Sequence, residues 1–165
     1  MEIENETLGV HPIAADYTSL AVPPIAFAAN IAEFDAWIAP GFEQEEGGFG
    51  LICHYQDDNN LVMVQVLPQR QAAVLILAQY GDFSALTEPP LQPITNVIGQ
   101  DAIQYKIDCT GNQVSLYANG ALVAQADIPE HTDAEGQTMA LFANTGVNTG
   151  PNGYKVLFDN VSFSK

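Results

Sequence analysis

Residues 48–67 read GFGLICHYQDDNNLVMVQVL. Phe49, Leu51, Cys53 and Tyr55 fall at every second position, the period of a strand with one face against a core. The run meets Asp57, Asp58, Asn59 and Asn60, and a second apolar run follows. Asp and Asn side chains hydrogen-bond their own backbone and suit tight turns. The segment therefore predicts a hairpin, with strands at 48–56 and 61–67. Parity divides its reactive groups: Cys53 faces the core, while His54 and Gln56 face outward.

The same period continues along the chain. Further strands are predicted at 25–38, 72–80, 102–109, 112–118, 121–127, 138–143 and 154–163. Turn signals separate them, among them Pro40-Gly41, Gly81-Asp82 and Gly111-Asn112. Asn119-Gly120, between SLYA and ALVAQA, fits a type I′ hairpin turn. Residues 1–24 form an N-terminal entry segment with one short strand at most. No long 3.6-residue period occurs, and the best helical candidate is a turn near Asp82–Leu86. Many strands with short connections in one domain spanning 1–165 predict an all-β sandwich or barrel.

Composition narrows the partners. Hydrophobic residues make up 47% of the 165 and charged ones 15%, which excludes a disordered chain. No apolar run approaches the roughly 20 residues that span a bilayer. No basic stretch followed by an apolar one is visible at the start, so the protein is expected to be either cytosolic or exported by a targeting segment outside these residues. Twenty acids face only Arg70, Lys106, Lys155 and Lys165, a net charge of −16. Nucleic acid and anionic membranes are unsuitable partners for such a surface, whereas neutral polar ligands and cations remain suitable. Cys53 and Cys109 both carry inward parity, which fits a buried disulfide or two buried thiols.

Three segments carry a resemblance. They are GLICHYQD (50–57), VSLYANG (114–120) and FDN (158–160). In this order they resemble concanavalin A-like lectin/glucanase domains, specifically the laminin-G-like jelly rolls of bacterial surface proteins. The resemblance covers about residues 25–163. It implies a two-sheet antiparallel jelly-roll sandwich, an extracellular or cell-surface setting and often carbohydrate binding.

Glucanases of that fold carry E-x-D-x-E on one strand, whose acids act as nucleophile, helper and general acid. Here AEFDAW (32–37) supplies Glu33 and Asp35, but Trp37 replaces the third acid. EQEE (43–46) lies in a glycine-flanked loop outside that register. Catalysis is therefore not expected, and a glycoside hydrolase is the third reading. A non-catalytic glycan-binding domain is the first. Glu33, Asp35 and Trp37 share the face opposite Phe34, Ala36 and Ile38, and sugars stack their C–H faces on aromatic rings. His54, Gln56, Gln65 and Gln79 are expected to complete that face. The bland alternative is that an exposed sheet face is polar in any case. A structural or protein-interaction module, with a homodimer among its forms, is the second reading.

No cofactor is required by these residues. A structural calcium ion is conceivable at two places. The consecutive side chains of Asp57–Asn60 diverge, which suits a turn better than a metal cage. Asp159 resembles an acid that helps hold calcium in many carbohydrate-binding jelly rolls, with Glu4 or Glu6 as partners. The broken alternation of LFDNVSF predicts a bulge beside it.

Overall fold

The computed structural model describes residues 2–4, 7–12, 18–20, 29–57, 59–94, 101–129, 139–146 and 148–165. In chain order the strands are β1 (Glu2–Glu4), β2 (Thr7–Val10), β3 (Thr18–Leu20), β4 (Ile31–Ile38), β5 (Gly47–Asp57), β6 (Asn60–Leu67) and β7 (Ala72–Gln79). They continue as β8 (Asp82–Ala85), β9 (Gln92–Pro93), β10 (Ile103–Asp108), β11 (Gln113–Ala118), β12 (Ala121–Asp127), β13 (Ala140–Thr145) and β14 (Val156–Ser164). A 3-10 turn, Pro68–Arg70, joins β6 to β7.

The strands form two sheets. The first has the order β1-β2-β14-β4-β10-β11-β12, and the second β3-β13-β5-β6-β7-β8, with β9 also on β7. Every pairing is antiparallel. The expected two-sheet antiparallel jelly-roll sandwich is therefore present.

Period-two burial explains the packing. In β4, Ala32, Phe34, Ala36 and Ile38 are buried, while Glu33, Asp35 and Trp37 are not. The buried set meets Phe49, Tyr105 and Phe158, with ring centroids 5.6–5.9 Å apart. Interlocked aromatic pairs of this kind add to the burial of their area. A disulfide joins Cys53 on β5 to Cys109, just past β10, and so ties one sheet to the other across 56 residues of chain. Closing a loop of that length restricts the unfolded chain by about 4 kcal/mol in the chain-entropy model.

The Asn119-Gly120 turn has positive φ at both residues (48° and 78°), as a type I′ turn requires. Tyr80-Gly81 is a second such turn (54° and 87°). It folds Asp82–Ala85 back onto β7, so the helical turn expected near Asp82–Leu86 is instead strand β8. The bulge expected in β14 is present between Asp159 and Ser162, with Asn160 at φ 49°. The expected strand 25–38 begins at Ile31 among the described residues, and 25–28 lie outside them.

One local break matters for the site. His54 has φ 50°, and the β5–β6 register shifts between Cys53 and Asp57. Residues 54–56 stand opposite Leu61 alone, and the positive φ at His54 breaks the alternation locally. The expected outward His54 is therefore buried at 3% exposure. Tyr55, expected inward, packs instead with the outward cluster of Ile52, Leu61, Ala78, Ala140 and Phe142.

Candidate functional site

The seven candidate ligand-binding residues do not share a face. Glu33, Asp35 and Trp37 lie on β4 of the first sheet, and His54, Gln56, Gln65 and Gln79 on strands of the second. Outward faces of a sandwich look in opposite directions, so Trp37 and Gln65 cannot contact one ligand. The single groove expected from Trp37 to His54 does not exist. Parity along the chain gave each residue a face of its own sheet, but it carried no information on which strands share a sheet.

The groups on the first sheet engage one another. The Lys106 Nζ lies 4.0 Å from Glu33 and 5.9 Å from the centre of the Tyr117 ring. The Asn160 side-chain amide donates to Asp35 at 2.7 Å. Further along, the Gln125 amide donates to Gln113 and Ser115, and the Gln113 amide to Asp127. Trp37 is half-buried beside Leu157, its partner on β14.

His54 and Gln79 are not on the outward face of the second sheet. The His54 ring lies against the backbone of Cys109, with no well-formed hydrogen bond at either nitrogen. Burial lowers its pKa from the ordinary histidine value, and the Cys109 backbone opposes that shift in part. Gln79 carries the inward parity of Leu75 and Leu77 and sits half-buried at the strand end. Gln56 is exposed beside the 57–60 turn.

That turn has the chemistry of a turn. Asp57 accepts from the Asn59 N–H at 2.8 Å and from the Asn60 amide at 3.0 and 3.1 Å. These donors, the Asn59 N–H first, hold the Asp57 carboxyl below its usual range. Asp58 lies outside the described residues. At Asp159, Oδ1 accepts from the Asn160 N–H at 2.8 Å, and Asp35 is its cross-strand partner. Among the described residues no three His, Cys, Asp or Glu side chains converge on one point. The side chains of Glu4 and Glu6 lie outside the described residues.

Gln65 leads to a different place. Along β5 the outward positions nearest its start are Gly48 and Gly50. Asn144 on β13 pairs with Gly48, and Gln65 on β6 pairs with Gly50. Between them β5 presents only backbone, and the Gln65 amide reaches over it to donate to Asn144 Oδ1 at 3.0 Å. A Cβ at position 48 would fall on Gln65 Nε2 and 2.8 Å from Asn144 Oδ1. This bridge belongs to a cleft of about 310 Å³ lined by Glu46, Gln65, Gln69, Arg70, Asn144 and their neighbours.

Two connections wall the cleft. The 3-10 turn contributes Gln69 and Arg70. The EQEE loop contributes Glu46, whose Oε1 stands 3.8 Å from Arg70 Nη2 and whose Oε2 accepts from the Asn148 N–H at 3.1 Å. Glu45 accepts from the Gly150 N–H, and the Thr149 hydroxyl donates to the Glu46 carbonyl. These bonds pin Asn148, Thr149 and Gly150 against residues 45–46. Gln69 donates to the Glu43 carbonyl, and its own Oε1 receives no donor from the protein. Glu46, Gln69, Arg70 and Asn144 were not expected as site residues. The available signal was Arg70, the sole arginine among four basic residues.

The arrangement can donate from a guanidinium and from amides and accept on a carboxylate and on amide oxygens. Among the described residues Glu46 is the only carboxylate in the lining. His11 hydrogen-bonds the Asn152 carbonyl at 2.8 Å and packs edge-on against Phe42. His131 lies outside the described residues.

Solved structures match the chain along most of its length. A carbohydrate-binding module, CBM66 from Bacillus subtilis, superposes with a TM-score of 0.58 at 13% identity, covering 98% of this chain and 84% of that one. The fold is the concanavalin A-like jelly roll. A Bacillus licheniformis beta-glucanase matches this jelly roll at 0.59 and 13% identity, over 83% of this chain and 66% of the enzyme. Sheep galectin-11 matches at 0.54 and 6% identity, over 92% and 98%. No family model and no curated protein matches the sequence. At these identities the likeness concerns the jelly roll alone. Among the described residues no helix is long and apolar enough to cross a membrane.

Proposed function

We propose that this jelly roll is a non-catalytic carbohydrate-binding domain of an exported protein, and that its ligand sits in the Glu46–Arg70 cleft. The observation that carries the reading is the glycine-floored groove, with a bridged Gln65–Asn144 pair and a guanidinium beside a carboxylate. Sugar hydroxyls both donate and accept, and fixed amides and charged groups of both signs satisfy them together. Structural neighbours whose names include a carbohydrate-binding module and a galectin support the same reading. The disulfide fits an oxidising compartment, hence the proposal of export.

The lining supports a non-catalytic role. Glycoside hydrolysis by the usual route needs two carboxyl groups flanking the bond, and the cleft offers Glu46 alone. The second reading, a protein-interaction module, draws on the β7–β8 hairpin, where Tyr80 is 85% and Phe83 61% exposed. A glycan array run on the parent, Arg70→Ala and Trp37→Ala proteins tests the assignment. The expected pattern is binding by the parent and by Trp37→Ala, with loss in Arg70→Ala. Binding that survives Arg70→Ala and vanishes in Trp37→Ala returns the site to the first sheet. Silence of the parent across the array favours the interaction module.

A further inference from the structure

We infer that the cleft selects uncharged glycans and that the Glu46–Arg70 pair is its selectivity device, an inference that rests on the carbohydrate-binding reading. The two groups stand 3.8 Å apart, beyond direct hydrogen-bond distance, and the Arg70 side chain is 61% exposed. Such a pair is half-open. A carboxylate oxygen is free to accept from one sugar hydroxyl while the guanidinium donates to the hydroxyl next to it, so a vicinal diol completes what the ion pair leaves unfinished.

The charges around the pair argue against an acidic ligand. The lining sets one carboxylate, Glu46, against one guanidinium, and Glu43 and Glu45 precede Glu46 in the same loop outside the lining. Glu43 and Glu45 are held in place by the Gly41 and Gly150 N–H groups. The whole chain carries −16. A uronate or sulfate entering here finds the one lining cation already facing a carboxylate, on a chain whose overall charge repels anions. The other polar side chains of the lining, Gln65, Gln69, Asn144 and Thr145, are neutral. They suit hydroxyls, and they add no charge that would draw an anion.

The test is calorimetric titration with matched neutral and uronate-bearing oligosaccharides at low and high salt, on the parent, Glu46→Gln and Arg70→Gln proteins. Melting curves first establish that each variant folds. The parent is expected to bind neutral glycans at least about tenfold more tightly than acidic ones at low salt. Neutral affinity is expected to change less than about twofold with salt, because no net charge is neutralised on binding. Glu46→Gln and Arg70→Gln are each expected to weaken neutral binding about tenfold or more, as loss of a charge-assisted bond does. Acidic glycans that bind more tightly than neutral ones, with salt weakening them, overturn the selectivity and leave carbohydrate binding standing. Unchanged neutral binding in both variants overturns the role of the pair. A parent that binds neither class removes the carbohydrate reading itself. Should Glu46→Gln fail to fold, Arg70→Gln on its exposed turn decides alone.

Discussion

The two outward faces of this sandwich solve the same problem differently. On the first sheet nearly every outward position carries a side chain, and those side chains satisfy one another: Glu33 with Lys106, Lys106 with Tyr117, Asp35 with Asn160, Gln113 with Gln125 and Asp127. On the second sheet the outward positions at the start of β5 are glycines, and the amides beside them meet over bare backbone. The first face has the richer chemistry, and the cleft at its β12 edge, about 360 Å³ between Leu122–Gln125 and residues 86–92, lies away from Trp37 on β4. The second has fewer functional groups and a cleft. The cleft here is made by side chains left out as much as by side chains put in.

Four perturbations probe that contrast, beginning with the bond that holds both faces on one body. Replacing Cys53 and Cys109 by Ser is expected to lower unfolding stability by about 4 kcal/mol, read from urea melts. Both faces should lose order together, and a loss below about 1 kcal/mol would mean the sheets are held without the bridge. Next is Gly48→Val. Its side chain must displace Gln65 or Asn144, and strain of that kind typically costs about 1–3 kcal/mol. Glycan affinity is expected to fall by more than the melt shift explains. Unaltered affinity would show that the Gln65–Asn144 bridge is not part of the site.

The third perturbation is acid. Burial keeps His54 neutral in the folded chain, whereas the unfolded chain protonates it freely below the ordinary histidine value. Stability should therefore fall as pH drops below about 6.5 and stop responding to His54 below its lowered folded value. His54→Leu should flatten the melting temperature across that window. Asp57, whose folded pKa is depressed, contributes in a lower window, where stability is lost as pH falls through the carboxylate range. A parent protein whose melting point is level from pH 7 to 5 would contradict the buried neutral imidazole. The smallest effect belongs to the first face. Lys106→Ala removes an exposed pair at 4.0 Å and is expected to cost about 0–1 kcal/mol, with no change in glycan affinity.

Much of the architecture was legible in the sequence because burial writes itself as period two. The hairpin at Asn119-Gly120, the turn at Asp57–Asn60 and the bulge after Asp159 each follow from local backbone chemistry. The site was less legible, for three physical reasons. Strand neighbours come from topology, so Glu33 and His54, close in type and near in sequence, stand on different sheets. His54 adopts positive φ, and no residue type announces that at a histidine. The cleft itself depends on Gly48 and Gly50, whose part is to carry no side chain. Gln65 alone among the seven candidates lies in it. Arg70 entered the reading only as a charge to be counted, although a lone arginine amid twenty acids was the one residue able to mark the spot.

Trp37 is the only tryptophan, so its indole N–H is a single reporter of the first face. The most direct measurement is an NMR titration with a neutral oligosaccharide. It would follow that indole together with the side-chain amides of Gln65 and Asn144 and the Arg70 guanidinium. The second-sheet resonances are predicted to move in a saturable way while the indole stays fixed. An indole that shifts with the ligand while Gln65, Asn144 and Arg70 remain still would contradict the account.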